Sequence, residues 1–264
     1  MNISQPLYEK IGTSYSITRK ADQRIAERLI ELLGLPTGST ILDVGAGTGN
    51  YSFALANAGF SMLAVEPSKT MLSQASPNKN IKWINSFAEA IPLDDESAQG
   101  AIIICAYHHF QNNQQALKEI IRVVGAGPIL IFTWDVQKLP QLWLTDYFPE
   151  IYPDHKAYIG DAKAAVQNIS HWTNRKCEIF SFPLPCDLTD HFITADWARP
   201  EAYLDPEIRQ GISSFAEASE NIYEKGLKRL KDDLQSGHWD KQYGELRQKK
   251  EYDIGYCFLK ISSP

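Results

Sequence analysis

The chain of 264 residues has little cysteine, no excess of positive charge and no long apolar run, and each shortage removes a class of protein. Its four cysteines, Cys105, Cys177, Cys186 and Cys257, show no C-x-x-C spacing and sit mostly beside apolar neighbours. That pattern fits buried reduced thiols and argues against a zinc ribbon or a disulfide framework, so no metal is expected. Lysine and arginine number 26 against 32 aspartates and glutamates, a formal net charge of −6. A protein that grips nucleic acid through its phosphates carries the opposite balance, so no nucleic-acid partner is expected. The densest basic stretch, Lys225 to Lys231, is interleaved with Gly226, Leu227 and Leu230 and followed by Asp232 and Asp233, which reads as the solvated face of an amphipathic helix. Nowhere do 18 apolar residues run together, and Met1 to Pro6 has neither the basic start nor the apolar core of a signal peptide. A cytoplasmic protein with no membrane partner is the expectation. No repeat period or low-complexity tract is present either, which leaves an ordinary globular chain.

What is present is an alternation of short apolar runs with helical patterns. Ala21 to Leu33 carries Ile25, Ala26, Leu29, Ile30, Leu32 and Leu33 at helical spacing, and Gly34 and Pro36 stop it. Strands are then predicted at Thr40–Val44, Met62–Val65, Ile81–Ile84, Ala101–Cys105 and Ile129–Thr133. Helices are predicted between them at Tyr51–Ala58, Ser68–Ala75 with Ser68 as N-cap, and Gln114–Val124. Five such strands spaced by helices imply an α/β fold with a parallel, doubly wound sheet and right-handed crossovers. After Trp134 the rhythm breaks. Two late β-runs, Cys177–Leu184 and Ile254–Ile261, are separated by a long, mainly helical segment, so two further strands around two insertions are expected. The organisation predicted is one domain over residues 1–264. It comprises a cofactor-binding core (1–134), cap insertions with a late strand (135–253) and a final strand (254–264).

The first strand ends in Asp43-Val44-Gly45-Ala46-Gly47-Thr48-Gly49-Asn50, at the carboxyl edge where open α/β sheets bind ligands. Glu66 follows 21 residues after Gly45, at the end of the second strand, where a carboxylate can accept from both hydroxyls of an adenosine ribose. A nicotinamide-dependent dehydrogenase uses similar parts, but its G-x-G-x-x-G requires a third glycine where this chain has Asn50. The loop also brings an acidic residue, Asp43, which suits a cationic amino group better than a pyrophosphate.

Ile41 to Gly49 resembles the first motif of the class I S-adenosylmethionine-dependent methyltransferases. The resemblance continues through Ala64-Val65-Glu66-Pro67-Ser68, Ala88-Glu89-Ala90-Ile91-Pro92-Leu93 and Tyr107-His108-His109-Phe110, covering roughly residues 8 to 134. It implies a Rossmann-like seven-stranded, mostly parallel sheet with an antiparallel last strand and a helical cap, and S-adenosyl-L-methionine as cofactor. It further implies that Gly45 and Gly47 meet the methionine end, that Glu66 and Pro67 meet the ribose, and that the segment before Ala88 meets the adenine. Where the family often has an aspartate for the adenine amino group, this chain has Phe87. Tyr15 and Arg19 lie in a segment resembling one that folds over the cofactor, with Arg19 facing the methionine carboxylate. The full cofactor set is Tyr15, Arg19, Asp43, Gly45, Ala46, Gly47, Glu66, Pro67, Phe87, Ala88 and Cys105.

His108 and His109 follow the fourth strand and are the candidates for a catalytic base, with loop structure as the alternative role. The reading is methyl transfer to a small-molecule acceptor. An oxidoreductase and a non-catalytic S-adenosylmethionine binder are the rivals. The insertions are rich in Trp134, Trp143, Tyr147, Phe148, Tyr152 and Tyr158, then Trp197, Tyr203, Phe215 and Tyr223, with His191 and Arg199 nearby. Their aromatic faces are expected to line a lid over an apolar or aromatic acceptor. Oligomeric state is not legible.

Overall fold

The computed structural model describes residues 17–135, 137–138, 142–151 and 161–264. Strands β1 (Thr40–Val44), β2 (Ser61–Val65), β3 (Ile81–Ile84), β4 (Gly100–Ile104) and β5 (Ile129–Trp134) pair in parallel. Two later strands, β6 (Cys177–Ser181) and β7 (Tyr256–Ile261), complete a seven-stranded sheet of order β3-β2-β1-β4-β5-β7-β6. β7 runs antiparallel to both neighbours, with Phe132 opposite Phe258 and Phe258 opposite Phe180. The order reverses direction between β1 and β4, which opens a crevice at their carboxyl ends.

Alternating side chains divide the interior into two layers, as the two-residue period of a strand demands. Leu42, Val44, Ile103, Ile131 and Leu259 face one way, toward α4 (Asn113–Val124) and α6 (Ala162–Thr173). Ile41, Ile102, Leu130, Phe132 and Phe258 face the other way, toward α1 (Gln23–Leu33) and α2 (Asn50–Asn57). Both faces are covered, so the central strands read as continuous apolar runs.

Caps set the helix boundaries. Asp22 accepts from the Arg24 N–H and starts α1, while Gly34 closes it in the left-handed region at φ 64°. Ser68 accepts from the Met71 N–H and starts α3 (Lys69–Ser73), as expected, although α3 ends two residues earlier than the predicted Ala75. The predicted strand Cys177–Leu184 splits after Ser181. Pro183 has no N–H to offer a ladder, and Leu184–Pro185 pairs separately with Glu251–Tyr252.

Beyond β5 lie α5 (Leu144–Tyr147), α7 (Pro206–Gln210), α8 (Ser213–Glu217), α9 (Glu220–Ser236) and α10 (His238–Tyr243). The basic stretch sits in α9, which buries Leu230 and pairs Lys228 with Asp232 at 2.7 Å. Gly226 lies where α9 crosses the chain after α5: a Cβ there would stand 2.1 Å from the Tyr147 carbonyl oxygen. Among the described residues no helix is long and apolar enough to cross a membrane.

Candidate active site

Two joined clefts occupy the crevice at the carboxyl edge, sharing Gly45, Gly47 and Ile104. The larger, about 810 Å³, runs along Glu66, Pro67, Ser68, Met71, Ser86, Phe87 and Ala88 on one side. Cys105, Ala106, His109 and Phe110 form the other side. The smaller, about 390 Å³, is bordered by Arg19, Asp43, Ala46, Thr48, Asn50, Tyr51 and Asp190.

The glycine loop between β1 and α2 makes this crevice possible. Gly45 and Gly47 have φ of 77° and 58°, in the region that penalises a side chain. A Cβ on Gly45 would also lie 2.5 Å from the Ala106 Cβ, whereas one on Gly47 would meet nothing within 4 Å. Gly45 is therefore required by packing. Gly47 borders open space, so a ligand can approach its backbone closely.

Glu66, buried at the end of β2, braces the loop. One carboxylate oxygen accepts from the Gly47 N–H at 2.9 Å and the other from the Ser68 N–H at 2.8 Å. Burial raises its pKa, and the two N–H donors oppose that. Asn85, unnoticed in the sequence, donates to the Glu66 and Pro67 carbonyls at 2.9 Å each and so fixes the turn behind the carboxylate.

Asp43 is deeper. Burial pushes its carboxyl up to about 7, with the Glu66 charge adding to the rise, although Ser52 donates to it at 2.6 Å. Cys105 takes a positive φ of 50°, and burial pushes its thiol up to about 12, so it lines the wall as an uncharged group. Phe87 lies at the outer rim of the larger cleft, 37% exposed.

The two histidines part company. His109 borders the larger cleft, and burial lowers its pKa to about 4. His108 borders neither cleft; its ring packs edge-on against Trp134 at 4.9 Å and tilted against His109 at 3.9 Å. Burial, with His109 beside it, drives its pKa well below the usual range. Of the two candidate bases, His109 thus borders the larger cleft, while His108 packs against the Trp134 indole.

The expected aromatic lining is corrected as well. Trp143, Trp197, Tyr203, Phe215 and Trp239 are almost completely buried and border neither cleft. They pack on one another, Trp143 against Trp239 and Tyr203 at 5.5 Å each. Two of the indoles find backbone acceptors: Trp143 donates to the Trp197 carbonyl at 2.8 Å and Trp197 to the Leu184 carbonyl at 3.1 Å. These rings extend the apolar layer of the sheet into the cap. Tyr15, Tyr152 and Tyr158 lie outside the described residues.

What the cap does bring to the crevice is Asp190, which sequence reading missed. It accepts from the Arg19 Nε at 2.5 Å and from the Tyr51 hydroxyl at 3.1 Å. Thr48 and Asn50 were discoverable as part of the glycine loop. Nothing local marks Asp190, whose partners precede it by 171 and 139 positions.

A family model for a methyltransferase domain matches residues 42–132, which span β1 to β5. A solved structure from Anabaena variabilis, described as a methyltransferase from an antibiotic biosynthesis pathway, is 42% identical with a TM-score of 0.90. That likeness covers 93% of this chain and 99% of the other. An uncharacterised methyltransferase of Mycobacterium tuberculosis is 31% identical over 40% of this chain and 44% of its own length. A demethylmenaquinone methyltransferase of Renibacterium salmoninarum is 27% identical over 47% of this chain and 55% of its own length. The chain thus spans about half the length of the curated relatives it matches. With the sheet order, the glycine loop braced by Glu66 and a 42% likeness over nearly the whole of both chains in hand, the chain belongs to the class I S-adenosylmethionine-dependent methyltransferases.

Proposed function

We propose that this chain transfers a methyl group from S-adenosylmethionine to a small, apolar or aromatic acceptor. The observation that carries the reading is the pair of clefts meeting at Gly45, Gly47 and Ile104. The larger cleft suits a nucleoside. Glu66 stands where two ribose hydroxyls can donate to it, Pro67 shapes the turn beside it, and Phe87, Ala88 and Met71 offer apolar surface to a base. The smaller cleft suits an amino acid end, with Arg19, Asp43 and the peptides of Ala46 and Gly47 around it. Phe87 in place of a carboxylate leaves base recognition to packing and to the Ala88 backbone.

When bound, the cofactor supplies a methyl group already activated by its sulfonium. The chain's own task is then alignment and exclusion of water, and alignment can be worth roughly 7–11 kcal/mol of barrier. Ile104, where the clefts meet, continues into Cys105 and Ala106 along the larger cleft, an uncharged wall that favours an acceptor with an apolar body. A base is required only if the acceptor must lose a proton. His109 is then our candidate to take it, because it borders the larger cleft and burial keeps it neutral at pH 7.

The test has two parts. S-adenosylhomocysteine at a hundredfold excess over its Kd should stabilise the protein by about 2.7 kcal/mol, raising its melting temperature, while NAD and NADP should not. Methyl-labelled cofactor incubated with a small-molecule extract should then yield label that partitions into organic solvent. Stabilisation by NAD alone would overturn the cofactor reading, and label confined to protein or RNA would overturn the acceptor class.

A further inference from the structure

The smaller cleft holds a buried ion pair whose halves come from different parts of the chain. Arg19 precedes α1, and Asp190 belongs to the cap segment between β6 and α7. Their side chains are 11% and 2% exposed. Asp190 spends one oxygen on the Arg19 Nε and the other on the Tyr51 hydroxyl, so the carboxylate is held from two sides while bordering the cleft. The Arg19 guanidinium also lies 5.9 Å over the Phe192 ring, and its backbone carbonyl accepts from Asn50 at 2.6 Å. Tyr51 and Asn50 open α2, directly after the glycine loop. One cluster therefore joins the segment before α1, the glycine-loop helix and the cap.

Burying such a pair is costly unless its remaining hydrogen-bonding capacity is used. A salt bridge that lines a cleft presents a cation and an anion side by side. Its complement is a ligand with the reverse arrangement. An α-amino acid group is that ligand: an ammonium and a carboxylate on one carbon.

Resting on the cofactor reading above, we propose that Asp190 binds the α-ammonium of the cofactor while Arg19 takes its α-carboxylate, making the Arg19–Asp190 pair a template for a zwitterion. The cap is then coupled to the amino acid end of the cofactor. A nucleoside that lacks this end fills the larger cleft without engaging the cap.

Three ligands separate the contributions: S-adenosylhomocysteine, its decarboxylated amine, and 5′-methylthioadenosine, which has neither group. By calorimetry, Asp190→Asn should weaken the first two by at least about tenfold and leave the third within about twofold. Arg19→Met should weaken S-adenosylhomocysteine and spare the amine. Hydrogen exchange on the unmutated protein removes any dependence on the variants' folding. S-adenosylhomocysteine should slow exchange across residues 187–196, and 5′-methylthioadenosine should not. Equal weakening of all three ligands, or equal protection by both, would make the pair a structural brace and overturn the proposal. If neither ligand binds the unmutated protein, the cofactor reading fails first and takes this inference with it.

Discussion

Glu66 and Asp43 stand within one loop of each other, yet their surroundings set them different tasks. Glu66 receives two backbone N–H donors, which oppose the rise that burial imposes on its pKa, and it faces the larger cleft, where a ribose would lie. Glu66→Ala should weaken S-adenosylhomocysteine by about 1–3 kcal/mol in calorimetry, the range for lost charge-assisted hydrogen bonds. Unchanged affinity would remove Glu66 from the ligand. Asp43 receives one hydroxyl and is pushed by burial to about 7. A carboxyl whose pKa is higher folded than unfolded binds its proton more tightly when folded. Its contribution to stability is therefore present below the ordinary carboxylate range and is lost as pH rises toward 7. Asp43→Asn has no such loss. The variant's melting temperature relative to the parent should climb between pH 4.5 and 8, and a constant difference would show that Asp43 is not the titrating group.

At the scale of elements, the crossing of α9 over the chain after α5 depends on one missing side chain. Gly226 is a poor helix former by propensity, and it is there because the Tyr147 carbonyl and the Phe148 ring occupy the space of a Cβ. Gly226→Ala should destabilise the protein by about 1–3 kcal/mol in urea denaturation, although alanine favours an isolated helix. An unchanged or raised midpoint would mean that the two segments separate freely. The same contrast explains how much was legible beforehand. β1 to β5, α1 and α4 are written in local periodicity and caps, and the glycine loop and Glu66 in a short motif, so all were readable in sequence. Pro183 splitting the sixth strand was visible but not weighed. Asp190 and the burial of Trp143 and Trp197 were not legible, because pairing with Arg19 or with the Leu184 carbonyl is decided by tertiary packing alone.

For the whole molecule, the decisive feature is that one apolar layer runs without interruption from the sheet into the cap. Phe132 and Phe258 on the sheet belong to the same buried cluster as Trp143, Trp197 and Trp239 in the cap. Core and cap should therefore unfold together. Tryptophan fluorescence, to which these three of the six tryptophans contribute, and far-ultraviolet dichroism should give one coincident urea transition. Two separated transitions would establish an independently stable cap. Trp143→Ala should cost about 3–5 kcal/mol and shift both signals equally.

Synthesis of the chain meets a difficulty in the position of β7. Among the described residues β6 hydrogen-bonds within the sheet only to β7, which is translated after the whole of the intervening helical segment. While the ribosome makes that segment, the nascent β6 has no partner, and its Ile179, still 40% exposed in the finished fold, stands on an open strand edge. Chaperone capture should therefore be strongest on nascent chains stalled between β6 and β7, and released when β7 emerges and slots between two strands already waiting for it.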